Sequence, residues 1–118
     1  MQDNDDYDNN NVIAKIIRGE LASKIRYEDD EVLVIDDINP HAPTHVLVIP
    51  KGQYINFQHF VNNAEDVANF FKKIGKIAEL LKIEENGYRL ITNIGKDGGQ
   101  TIPHFHVHLL AGKRFSNL

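Results

Sequence analysis

The run His104-Phe105-His106-Val107-His108-Leu109-Leu110 alternates three histidines with apolar residues. A strand turns successive side chains to opposite faces. Read as a strand, it lines one face with His104, His106 and His108. Phe105, Val107 and Leu109 then face the other way, where they can pack on a core. Half of the chain's six histidines converge on this patch. Imidazole exchanges protons near neutral pH, binds metals and can attack phosphorus.

Three uses of the patch are open. The histidines can be a merely polar sheet face, although Thr, Ser or Lys usually fill such positions. His-x-His on a strand can place two nitrogens on one zinc, with His108 or a carboxylate as a third ligand. Or one histidine is a nucleophile and its neighbours are donors. Close imidazoles disfavour one another's protonation, so at least one stays neutral and nucleophilic near pH 7. The others can hydrogen-bond to phosphate oxygens or protonate a leaving group. A nucleophilic histidine needs the lone pair that zinc would occupy. The catalytic reading therefore expects no metal and no other cofactor.

Before the histidines lies Gly95-Lys96-Asp97-Gly98-Gly99-Gln100-Thr101. It lacks the Lys-Ser/Thr ending of a P-loop and opens no helix. It is either a plain connection or a loop whose backbone N–H groups approach an anion closely. Tyr88–Ile94 reads as a strand leading into it, after an Asn86-Gly87 turn. Further out, Ala64–Lys82 is an amphipathic helix with an apolar stripe from Val67 to Leu81. Asn63, with Asp66 three residues on, reads as its capping pair. His45–Pro50 is a buried strand, preceded by the rigid Asn39-Pro40-His41-Ala42-Pro43 loop. Lys24–Glu28 and Val32–Asp36 are two strands turning at Asp29-Asp30. A short helix spans Val12–Arg18. His45 can be a simple strand start. Asp36 and Asp37 can be turn residues, or a carboxylate there can accept two ribose hydroxyls. His41 and His59 fall in expected loops and receive no role.

Residues 1–11 carry four Asp and four Asn and read as a disordered tail, leaving 12–118 as one domain. Strands joined by short turns, with helices set apart, indicate an α+β fold around an antiparallel sheet. The 118 residues suffice for one core, and 42% are apolar and 25% charged, as in ordinary globular domains. A net charge of −4 argues against a broad nucleic-acid partner. No apolar run is long enough to span a bilayer. Without cysteines there is no disulfide framework, and a cytoplasmic protein is the simplest expectation.

The same residues resemble the histidine triad (HIT) family, in its HINT-like branch of purine nucleoside phosphoramidases. The run 104–110 fits His-φ-His-φ-His-φ-φ, with φ apolar, at every position. Lys15-Ile16-Ile17-Arg18-Gly19-Glu20, Tyr27-Glu28-Asp29-Asp30, Asp37-Ile38-Asn39-Pro40, Ala42-Pro43-Thr44-His45 through Lys51, and Asp97-Gly98-Gly99-Gln100-Thr101 extend the likeness over about residues 11–114. The resemblance implies a five-stranded antiparallel sheet with one long and one short helix, usually paired as a homodimer. It implies hydrolysis or transfer at the α-phosphate of a purine nucleotide of AMP or GMP type, through a nucleotidyl-histidine. His106 is then the nucleophile, with His104, His108 and His45 around it. Asp37 matches the ribose carboxylate, and Asn93, Gly99, Gln100 and Thr101 match the phosphate surroundings. Val12, Ile13, Ile16, Ile35 and Ile38 match the base pocket, with Ile13 where the family usually carries Phe. A dinucleoside polyphosphate hydrolase and a non-catalytic nucleotide sensor are the alternatives.

Overall fold

Five strands form one antiparallel sheet in the computed structural model, which describes residues 6–118. Helix α1 (Val12–Ile17) comes first, then strands β1 (Ile25–Glu28), β2 (Val32–Asp36) and β3 (Thr44–Pro50). Helices α2 (Phe57–Asn63) and α3 (Val67–Leu80) follow, then β4 (Arg89–Ile91) and β5 (Val107–Ala111). The spatial order is β1-β2-β3-β5-β4, so the last strand inserts between β3 and β4.

The alternation of side chains makes two different faces. Val32, Val34, Val46, Val48, Val107, Leu109 and Ala111 point to one side. There they join Phe60 of α2 and Phe70, Ile74, Ile77 and Ala78 of α3 in the main core. Leu33, Ile35, Leu47 and Ile49 point to the other side and pack against Ile13 of α1. Past that patch the second face changes character. His45 on β3, His108 on β5, and Arg89 and Ile91 on β4 line a cavity of about 370 Å³.

Several boundaries differ from the sequence expectation. The helix expected over 64–82 begins at Val67, because Asp66 is itself the N-cap and accepts from the Asn69 N–H. Helix α2 was not expected: its Phe-, Val- and Asn-rich sequence has weak helix propensity. It forms because Asn56 caps it and because Phe60 stacks on Phe105, ring centroids 4.6 Å apart. Among the described residues there are therefore three helices rather than two. The histidine run is a strand only from Val107, where it pairs with Val48 of β3 and, at His108, with Ile91 of β4. Residues 102–105 leave the ladder: the His104 N–H turns back to the Ile102 carbonyl and the Phe105 N–H goes to Tyr54. Part of the expected tail is packed, since Tyr7 and Asn11 are buried. Residues 1–5 lie outside the described part.

Candidate active site

β3 and β5 bring His45 and His108 together from opposite directions. Their register pairs Leu47 with His108 and His45 with Leu110, so the two histidines are diagonal neighbours on one face. His45 Nε2 lies 2.9 Å from His108 Nδ1. The rings of His106 and His108 have centroids 5.1 Å apart. Thr92 donates from Oγ1 to the His106 carbonyl at 2.9 Å, tying the residue before β5 to the end of β4.

His104 does not share that patch. It is 0% exposed. Its Nε2 lies 2.8 Å from the Pro50 carbonyl, and its Nδ1 meets the Tyr7 hydroxyl. Both ring nitrogens are spent on the protein, so no edge is left for a ligand. The three-histidine face read from the sequence is thus a pair, His106 and His108, joined by His45.

Proton positions follow from the hydrogen-bond partners. A carbonyl can only accept, so His104 carries its proton on Nε2 and its Nδ1 accepts from Tyr7. His106 Nδ1 is 2.7 Å from the His104 carbonyl, so it carries the proton and Nε2 keeps a free lone pair. The His41 backbone N–H donates to His45 Nδ1 at 3.0 Å, which puts the His45 proton on Nε2. That proton points at His108 Nδ1, so His108 carries its own proton on Nε2. The cluster therefore presents one bare nitrogen, on His106, beside one N–H donor, on His108.

Burial keeps all four imidazoles neutral. It lowers His104 and His108 to about 4, with the neighbouring His106 acting in the same direction on each. Burial also lowers His106 and His45, opposed by Asp37 and, for His106, by its bond to the His104 carbonyl. A neutral imidazole can act as a nucleophile and a protonated one cannot.

Asp37 closes the group. Its Oδ1 accepts from the Asn39 N–H at 2.8 Å, and its Oδ2 lies 3.3 Å from His45 Nε2 and 3.8 Å from His108 Nδ1. One donor atom each from Asp37, His45 and His108 falls within 4.8 Å of the others, close enough for one metal ion. The protonation pattern opposes that use. Metal binding at His45 Nε2 would move its proton to Nδ1, against the His41 N–H already there.

The remaining candidates separate by accessibility. Ile13 and Ile35 are fully packed in the second core, with Ile16 against it, and only Val12 and Ile38 offer open apolar surface, Ile38 at 91% exposure. Asn93 lines the cavity with His45 and His108. Gly99 has a φ of +79°, which favours glycine, and a side chain there would meet Asn93. Gly99, Gln100 and Thr101 line a groove of about 550 Å³ with Gly95, Lys96 and Pro103. The Gln100 side chain staples the loop instead of facing outward. Its Oε1 accepts from the Gly95 N–H, and its Nε2 donates to the Ile55 and Ile102 carbonyls. Sequence reasoning missed Tyr7, Thr92 and the His41 N–H. Only Tyr7 left a trace there, as a lone aromatic in an Asp/Asn-rich stretch.

Residues 18–115 match the model of the HIT domain. The chain belongs to the HIT domain family. An uncharacterized HIT-like protein from Rickettsia prowazekii is 46% identical over 114 residues, 95% of each chain. The purine nucleoside phosphoramidase of Escherichia coli is 41% identical over 103 residues, 86% of this chain and 87% of that one. Among solved structures, a HIT family hydrolase from Clostridium thermocellum aligns with a TM-score of 0.84 at 48% identity, covering 92% of this chain and 96% of that one. A histidine triad protein from Clostridium difficile aligns at 0.85 and 39% identity, covering 100% and 99%. The HIT fold, with its five-stranded antiparallel sheet, is thereby established for this chain.

Proposed function

We propose that this HIT protein hydrolyses purine nucleoside phosphoramidates at the α-phosphorus through a nucleotidyl-histidine on His106. The observation that carries the reading is the free Nε2 of His106, set by the Nδ1–H bond to the His104 carbonyl. In the first step that lone pair forms a bond to phosphorus while the phosphorus–amine bond breaks. The amine leaves with its electron pair and takes a proton from solvent, while the His108 N–H stays a hydrogen-bond donor at the phosphate. In the second step water attacks the phosphorus, the His106 bond breaks and the monophosphate departs. Over both steps the water supplies the hydroxyl on phosphorus and the proton on the amine. The His108 N–H and backbone donors of the 95–101 loop spread the transition-state charge.

Asp37 accepts the ribose hydroxyls in this reading. Val12 and Ile38 cover the base, backed by Ile13, Ile16 and Ile35. Asn93, Gly99 and Thr101 lie beside the phosphate, with Gln100 holding their loop in shape. His45 fixes the His108 tautomer, and His104 acts through its carbonyl. The phosphoramidase name of one relative supports the substrate class. The test offers adenosine 5′-phosphoramidate, a dinucleoside polyphosphate and an adenylated amine to the protein, with and without chelator. AMP release from the phosphoramidate, unchanged by chelation and inhibited by added zinc, is expected. Activity lost on chelation and restored by stoichiometric zinc would replace the nucleophile with a metal centre.

A further inference from the structure

The segment before α1 does more than lead into the domain. Tyr7 is buried, its ring set edge-on to His104 with centroids 5.6 Å apart. The stretch that carries it is fastened on both sides. Arg18 donates to the Asn9 carbonyl at 2.8 Å, and Gln53 donates to the Asn9 side chain at 2.8 Å. Asn11 bonds back to the Asp8 carbonyl and caps α1 through the Ala14 N–H. A strap of residues 7–11 is thus tied to α1 and to the turn after β3, with one hydroxyl aimed inward.

We infer that Tyr7 is a positioning residue: its hydroxyl locks the ring of His104, so that the His104 carbonyl fixes the tautomer of His106. The chain of bonds is continuous. The Tyr7 O–H donates to His104 Nδ1, His104 Nε2–H donates to the Pro50 carbonyl, and the His104 carbonyl receives the His106 Nδ1–H. Without the hydroxyl, His104 Nδ1 is a buried acceptor with no partner. The ring then gains by flipping or changing tautomer, at the expense of the Pro50 bond. On this inference either change shifts the His104 peptide, whose carbonyl orients His106. Burial raises the Tyr7 phenol above its usual range, so it remains a donor across the working pH.

Tyr7→Phe removes one oxygen and keeps the packing. Its two readouts are steady-state kinetics on adenosine 5′-phosphoramidate and ring ¹⁵N spectra of the histidines. The kinetic arm rests on the proposed function and the spectral arm does not. The wild-type His106 should show one tautomer, with Nδ1 protonated. In Tyr7→Phe that signal should become a mixture, with kcat lower by about tenfold and KM within about twofold. Gln53→Ala loosens the strap but leaves the hydroxyl, and should keep both the tautomer and kcat. An unchanged His106 tautomer in Tyr7→Phe would overturn the inference, as would equal losses in the two variants. If the wild type turns over no phosphoramidate, the functional reading fails and the spectra still decide the role of Tyr7.

Discussion

At the scale of single residues, the chemistry depends on where four protons sit. His104, His106 and His45 are each assigned a tautomer by a backbone group that can only donate or only accept, and His45, once set, assigns His108. The neutral state has a thermodynamic consequence. His104 titrates near 4 when folded and near 6.5 when unfolded. Between those values the unfolded chain binds more protons, so stability rises with pH. The contribution is fully present above about pH 6.5 and disappears as pH falls towards 4; for buried His104 the whole shift amounts to about 3 kcal/mol. His45, His106 and His108 are lowered too and act in the same direction. The thermal midpoint should therefore drop from pH 7 to pH 5, and a flat profile would mean that these imidazoles are not held neutral. His106→Ala should lower kcat by about a thousandfold or more while AMP binding survives in an equilibrium titration.

At the scale of elements, the 95–101 loop connects β4 to the histidines through tight backbone contacts. A Cβ at Gly98 would sit 2.3 Å from the Ile94 carbonyl oxygen, and backbone cannot yield cheaply there. Gly98→Ala should destabilise by about 1–3 kcal/mol and, under the proposed function, which sets this loop beside the phosphate, raise KM more than it lowers kcat. Calorimetry with steady-state kinetics checks both. Most strands and the body of α3 were legible because their signals are local, alternation and an apolar stripe; the cap was misassigned to Asn63, and β4 is shorter than the expected Tyr88–Ile94. α2 was not, because tertiary stacking of Phe60 on Phe105 overrides weak propensity. The start of β5 was misplaced for a related reason. Alternation predicts a strand wherever it occurs, but pairing stops where no neighbour continues, and β3 reaches β5 only as far as Val48 opposite Val107. The set His45, His106 and His108 could be read from spacing and family likeness. The segregation of His104 could not, because it depends on Tyr7 and Pro50, 97 and 54 residues away along the chain.

At the scale of the whole molecule, the sheet ends on β4 at one edge, with Tyr88, Leu90, Ile91 and Ile94 exposed there and in the flanking residues. Phe71 and Leu80 of α3 add further exposed apolar surface. An uncovered edge strand invites pairing with a second copy. Sedimentation at micromolar concentration should give a mass about twice 13.4 kDa, and a clean monomer would remove the dimer from the account. The central claim, that His106 carries the nucleotide covalently, has a more direct readout. Acid-quenching the protein during turnover of adenosine 5′-phosphoramidate, followed by intact mass and peptide mapping, should reveal one adenylyl group on His106 and none in His106→Ala. Sustained AMP release with no adduct during turnover, or an adduct on another residue, would contradict it.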